Sequence, residues 1–221
     1  MTFKLKGKIK IGFICLATLG VLMSSIMGCS QSISPTECTD ECNELIEAKV
    51  VARGLYDNWS KTELAGYVVA VLFAKNDIQQ VKDSKELAYE VCDNWSKDEL
   101  AAYTIAVVLT DKDLGEVREA KENAGTIYDN WSRTELAYYT LATILADNNL
   151  AFVLESKEKA KSVYDNWSKT ELAVYTATVV VADGDLEVVK KAKNIARGVY
   201  DNWSKTELAI YTLGAVILLK Y

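Results

Sequence analysis

The chain has 221 residues, a formal charge of −6 and no histidine. The missing imidazole removes the commonest general base and metal ligand, which turns the reading away from hydrolytic and zinc chemistry. Beyond residue 28, 21 basic side chains face 31 acidic ones, a balance that repels nucleic acid phosphates and anionic lipid.

The amino end reads as an export signal. Lys4, Lys6, Lys8 and Lys10 form a basic start, and Ile11 to Gly28 is an uncharged, mostly apolar run of 18 residues. Ile26-Met27-Gly28-Cys29 closes it. These four residues resemble the lipobox of bacterial lipoproteins. The resemblance implies that residues 1–28 are removed and that Cys29 is the lipidation site. The alternatives are an uncleaved membrane anchor, since the run is near the shortest length that spans a bilayer, and a plain cleaved signal. Either way the rest of the chain is expected at the extracytoplasmic face of a cell membrane or at the cell surface. Residues 29–40, rich in serine and threonine and holding the lone Pro35, read as a polar tether. Cys38 and Cys42 lie at its end and could pair in an oxidising compartment, although two cysteines four apart on a helix often have poor disulfide geometry.

From residue 41 a rhythm takes over. Asp-Asn-Trp-Ser recurs five times at a fixed spacing of 36 residues, with Trp59, Trp95, Trp131, Trp167 and Trp203 as the only tryptophans. Such a period marks one supersecondary unit stacked on copies of itself. Each copy carries a capping box, Ser60/Glu63, Ser96/Glu99, Ser132/Glu135, Ser168/Glu171 and Ser204/Glu207. In this box the serine takes the glutamate N–H and the glutamate reaches back to the serine N–H. Leu64, Leu100, Leu136, Leu172 and Leu208 stand at the staple position opposite the tryptophans, so the indoles read as structural clasps and as core.

The helix after each cap (the A helix) is apolar on nearly every side, as in Val68 to Ala74, and is expected to be buried. Alanine follows the leucine in every copy, at Ala65, Ala101, Ala137, Ala173 and Ala209, which suggests close approach of a neighbouring helix. Links such as Asp111-Lys112-Asp113 and Asp183-Gly184-Asp185 then lead into an amphipathic B helix. In the last copy Leu186, Val189, Ala192, Ala196 and Val199 form its apolar face, and Lys190, Lys191, Lys193 and Arg197 lie on its polar one. Asp113 and Asp185 read as helix caps, in preference to calcium ligands. The stretch Ala48-Lys49 with Ala52 to Tyr56 repeats Ala192-Lys193 with Ala196 to Tyr200, so a B helix also precedes the first tryptophan.

The expected fold is therefore all-α. It is a solenoid-like tandem array of five two-helix units at 41–76, 77–112, 113–148, 149–184 and 185–221. The rival is an α/β solenoid, because Thr104 to Leu109 and Thr176 to Ala182 are β-branched enough for strands. In an open array the last A helix has a bare flank, and its apolar tail Ala215 to Leu219 points to self-association or docking there.

Three features look chemical. Asn-Trp-Ser satisfies the N-glycosylation pattern, but the serine is needed as a cap. The tryptophan row has a second reading as an aromatic stripe for glycan or peptide. Cys92 replaces a tyrosine present in the other four copies and reads as a buried substitute. No catalytic set, cofactor site or metal site is expected. Tyr-Asp-Asn-Trp-Ser-Lys-Thr-Glu-Leu, with a helix before it, resembles the W-S-x-x-x-L repeats of fungal stress-responsive nuclear-envelope organisation proteins. The lipid-tethered small helical repeats also resemble phage superinfection-exclusion lipoproteins. Both resemblances imply a tethered, non-enzymatic interaction protein with a membrane and an unidentified protein as partners. An exclusion or immunity factor is the second expectation, and a glycan or peptide receptor the third.

Overall fold

The computed structural model describes residues 39–221. Residues 1–28, Cys29 and Cys38 lie outside them, as does the tether as far as residue 38. Cys42 takes part in a disulfide.

Ten α-helices make up the described residues, with no strand among them: α1 (Asp40–Ala52), α2 (Lys61–Phe73), α3 (Ile78–Ala88), α4 (Lys97–Leu109), α5 (Leu114–Ala124), α6 (Arg133–Leu145), α7 (Leu150–Ala160), α8 (Lys169–Val181), α9 (Leu186–Arg197) and α10 (Lys205–Lys220). The five even-numbered helices start at the serine caps, whose hydroxyls accept from the glutamate N–H at 2.9–3.1 Å. The odd-numbered helices after α1 are capped by Asp77, Asp113, Asn149 and Asp185.

The β-branched runs suggested as strands lie inside α4 and α8. Their caps commit the backbone to helix two turns upstream. Thr104, Thr176 and Thr178 then donate to the carbonyl four residues back, which hides each hydroxyl within an apolar helix. The links from even to odd helices turn through two successive left-handed residues, Lys75-Asn76, Asp111-Lys112, Asp147-Asn148 and Asp183-Gly184. The second of each pair donates its N–H to the carbonyl five residues back, the Schellman arrangement, at 2.8–2.9 Å.

Each odd helix packs on the even helix that follows it, and the even helices pack on one another in the order α2, α4, α6, α8, α10. The order does not end there, because α10 packs back on α2 and on α1. The even helices thus form a closed inner ring and the odd helices an outer layer. At the seam Lys49 donates to the Val199 carbonyl at 2.7 Å and to Asp201 at 2.8 Å, and the Thr62 and Ser204 hydroxyls pair at 3.2 Å. Gly214 of α10 sits so close to α1 that a Cβ there would come within 3.1 Å of the Leu45 side chain.

The bare flank expected for the last A helix does not exist. Leu213, Ala215 and Val216 are fully buried, and the apolar tail is the second half of a ring joint. An open array follows only if the rotation from one repeat to the next fails to close; here the inner helices return from α10 to α2.

In this closed ring the seam carries the same lysine clamp as the other joints. Lys49→Met and Lys121→Met are therefore expected to lower stability equally, by about 1.5–3 kcal/mol each for a lost charge-assisted hydrogen bond. Thermal unfolding checks this. A silent Lys49→Met beside a damaging Lys121→Met would mean that the ring is open in solution.

Candidate functional site

The amino ends of the even helices meet around one rim. The cap serine of each pairs with the residue two places after the cap in the next: Ser96 with Thr134 at 3.0 Å, Ser132 with Thr170 at 3.1 Å, Ser168 with Thr206 at 3.2 Å, and Ser204 with Thr62 across the seam. The fifth pair joins Ser60 to Asp98, the one acid in an otherwise threonine circle. Five parallel helix dipoles therefore present their positive ends on one side.

Asp-Asn-Trp-Ser is the turn that enters each of these helices. Its asparagine is left-handed in every copy, with φ between 57° and 63°. That bend aims the N–H groups on either side of the asparagine at one point, and the capping glutamate fills it. Glu63 accepts from the Asp57 N–H at 2.6 Å and from the Trp59 N–H at 2.9 Å. Glu99 accepts from Asp93 and Trp95, Glu135 from Asp129 and Trp131, Glu171 from Asp165 and Trp167, and Glu207 from Asp201 and Trp203, all at 2.6–2.9 Å. The expected capping box is therefore corrected in all five copies. The serine half stands as expected. The carboxylates of Glu63, Glu99, Glu135, Glu171 and Glu207 instead bind two N–H groups upstream of the serine, not the serine N–H, because the left-handed asparagine turns those two donors inward. All five glutamates are fully buried, and these donors with the helix dipole meet the charge.

The aspartate of the motif holds the next repeat. Asp57 accepts from Lys85 at 2.9 Å and pairs with Lys97 at 3.1 Å. Asp93, Asp129, Asp165 and Asp201 each pair in the same way with two cations. Burial raises the Asp57 and Asp129 carboxyls, but their lysine partners outweigh it and hold both below the ordinary carboxylate range. The outer-layer lysine also donates to the carbonyl two residues before the aspartate and lies about 5 Å from a buried tyrosine ring, as Lys85 does over Tyr67. Lys193, expected on the exposed face of its helix, is in fact this residue: it is 8% exposed and bound to the Val163 carbonyl and Asp165. Sequence reasoning missed this clamp, although Lys49, Lys85, Lys121, Lys157 and Lys193 repeat at the same 36-residue step.

The tryptophans are not core. Trp59, Trp95, Trp131, Trp167 and Trp203 are each 64–69% exposed, while the leucine set opposite them is buried. Their backbone N–H groups serve the glutamates, and their rings stand in solvent around the rim. Expecting apolar side chains to be buried misplaced them. The turn consumes only the main chain of this residue.

Several side chains break the cyclic pattern. Tyr138 is fully buried, and its hydroxyl lies 3.7 Å from where a Cβ on Gly66 would stand, so it fills the middle of the ring. Tyr138 has no hydrogen-bond partner among the described residues. The hydroxyls of Tyr67, Tyr103, Tyr139 and Tyr175 face Thr104, Thr140, Thr176 and Thr212 without good hydrogen-bond geometry, and burial raises all four. At the seam, Tyr211 has Val68 where the threonine would be. Desolvation raises the Asp98 carboxyl, and its charge acts on Tyr138. Cys92 and Tyr89 also depart from it. With Trp59, Trp95, Asn94, Ser96, Lys97 and Leu100 they line a half-open hollow of about 230 Å³. Burial pushes the Cys92 thiol up, so it is no activated nucleophile.

No group of three or more metal-ligating side chains converges among the described residues, and no helix there is long and apolar enough to cross a membrane. No protein-family model, curated protein or solved structure matches the chain.

Asp98 gives a pH signature. Its folded pKa lies above its unfolded one, so the fold favours the protonated form and loses stability as pH rises through the folded value. Asp98→Thr, the residue of the other four copies, is expected to raise the thermal midpoint at pH 7 by ~2–4 °C, on the order of 1 kcal/mol. Below about pH 4, where an unfolded aspartate is also protonated, the gain is expected to shrink. A gain that grew on acidification would contradict the burial argument.

Proposed function

We propose that residues 41–221 are a tandem array of five two-helix units closed on itself, and that the protein is a non-catalytic binding module whose contact face is the tryptophan rim. A tether at 29–40, with Cys29 as its lipidated end, would hold this module at the extracytoplasmic face of a membrane. The partition of the chain at Cys38–Tyr221 supports treating the array as one compact body.

One observation carries the binding role: five indoles, each about two-thirds exposed, stand at equivalent places around one rim. Exposed aromatic surface of this extent on a small body marks an interaction face. Tryptophan is also the side chain most enriched where binding energy concentrates. The remaining residues of the turn are absorbed by the joints, which leaves the indoles available.

Two outcomes are expected. In native envelope preparations, the full chain's indoles resist a water-soluble quencher, and detergent extraction with dilution exposes them; equal quenching in both states would remove the contact role. Metabolic labelling with a lipid precursor is expected to mark the wild-type chain and to be lost in Cys29→Ala. Retained label in that variant would remove the anchor.

A further inference from the structure

We propose that the hollow between Trp59 and Trp95 is a subsite for one ring of an uncharged saccharide. The proposal rests on the reading of the rim as a binding face, and it names the ligand class and the place.

The hollow comes from two departures from the repeat. The tyrosine found at 56, 128, 164 and 200, half-buried against the core, is replaced at 92 by cysteine, a smaller side chain that lines the hollow. At the position where the other copies have Arg53, Gly125, Lys161 and Arg197, this copy has Tyr89. Subtraction opens the space, and addition gives it a third aromatic wall. Cys92 and Leu100 line it as well. Its volume of about 230 Å³ falls below the ~300–1,000 Å³ usual for sites that enclose larger ligands, so it suits a single ring.

The chemistry of the lining selects the class. A pyranose presents C–H bonds on its faces and hydroxyls around its edge. The C–H face is complementary to the electron-rich face of an indole, and the hydroxyls need a few polar partners. Those partners are present. The Asn94 carboxamide oxygen is 3.5 Å from the Cys92 sulfur, while its NH₂ makes no hydrogen bond among the described residues. Lys97 donates to the Tyr89 hydroxyl at 3.2 Å, which fixes both groups beside the opening.

Charge argues against strongly charged ligands. An anionic ligand meets a body with a large acidic excess. A cationic ligand meets Lys97 at the hollow itself, beside an Asp57 already matched by Lys85 and Lys97. A neutral polyhydroxyl ligand meets neither obstacle.

Indole ¹⁵N–H resonances of the detergent-solubilised full chain test the proposal. Neutral tetrasaccharides of glucose, mannose and N-acetylglucosamine are titrated in turn, alongside tetragalacturonate and a neutral peptide. At least one neutral sugar is expected to shift Trp59 and Trp95 saturably, with the other three indoles moving less. Cys92→Tyr, which restores the residue of the sister repeats, is expected to weaken that binding roughly tenfold or more. Tyr89→Ala, an exposed change that spares the fold, is expected to weaken it too. The proposal is overturned if no neutral sugar saturates the pair, if all five indoles shift alike, if only the peptide or the anion binds, or if both variants bind as wild type. Failure here with persistent quencher protection in the envelope would remove the saccharide and leave the contact face standing; loss of both would remove the reading beneath it.

Discussion

The structure depends on a clamped ammonium. Five lysines of the outer layer, two buried and three half-buried, reach a carbonyl and an aspartate on the preceding repeat, with a tyrosine ring about 5 Å from each ammonium. Desolvating a charge costs several kcal/mol, and the attraction roughly offsets that cost only with good geometry and satisfied donors. Its net effect on stability is therefore modest. Its geometric effect is large, because one placement of the next repeat satisfies the ammonium. A hydrophobic joint tolerates sliding between helices, whereas this joint fixes both the angle and the distance. Five copies of a fixed step then decide whether the chain spirals or closes.

Closure changes what the ends of the chain mean. A repeat array normally needs polar terminal units, because its first and last members each have an uncovered face. Here α10 covers α2 and α1, so each end caps the other. The apolar sequence of α10, read alone, has the marks of a sticky terminus. Within the ring it is an ordinary inner helix. The middle of the ring sets a further constraint that five identical repeats would fail. The inner positions carry Gly66, Ala102, Tyr138, Val174 and Ile210, one large ring balanced by two of the smallest residues. Tyr138 reaches across to the space left at Gly66, and a Cβ there would fall 2.8 Å from that of Ala101. Sequence drift among the repeats is thus partly a packing requirement.

Much of this was legible in the sequence, because local rules act within one turn of helix. The serine caps, the burial of the apolar helices with their repeated alanines and the capping by Asp113 and Asp185 all follow from residues within a few positions of one another. Closure was not legible. The angle per repeat depends on how side chains interlock across joints, and no spacing rule encodes it. The true partners of Glu63, Glu99, Glu135, Glu171 and Glu207 escaped because a left-handed asparagine redirects two N–H groups, a backbone effect that residue identity only permits. The lysine clamp was visible as a period but not as a role, since an ammonium beside alanines on an amphipathic helix reads as solvated. The indoles were misassigned because a staple position was taken to imply burial.

That last error bears on function. Within Asp-Asn-Trp-Ser every other side chain serves the architecture. The aspartate binds the next repeat, the asparagine makes the left-handed bend, and the serine caps a helix and links to its neighbour. The tryptophan contributes its N–H to the glutamate, which any residue other than proline would supply. Its indole has no comparable duty, yet the same choice stands in all five copies. A large apolar ring held in water favours aggregation, so a serine or lysine would serve a purely architectural turn better. The fold accounts for the turn and leaves the ring unexplained. On the proposed reading, a partner that covers this surface accounts for the ring, and the ring's arrangement around one rim would offer it several equivalent contacts at once, which strengthens binding without strengthening any single contact.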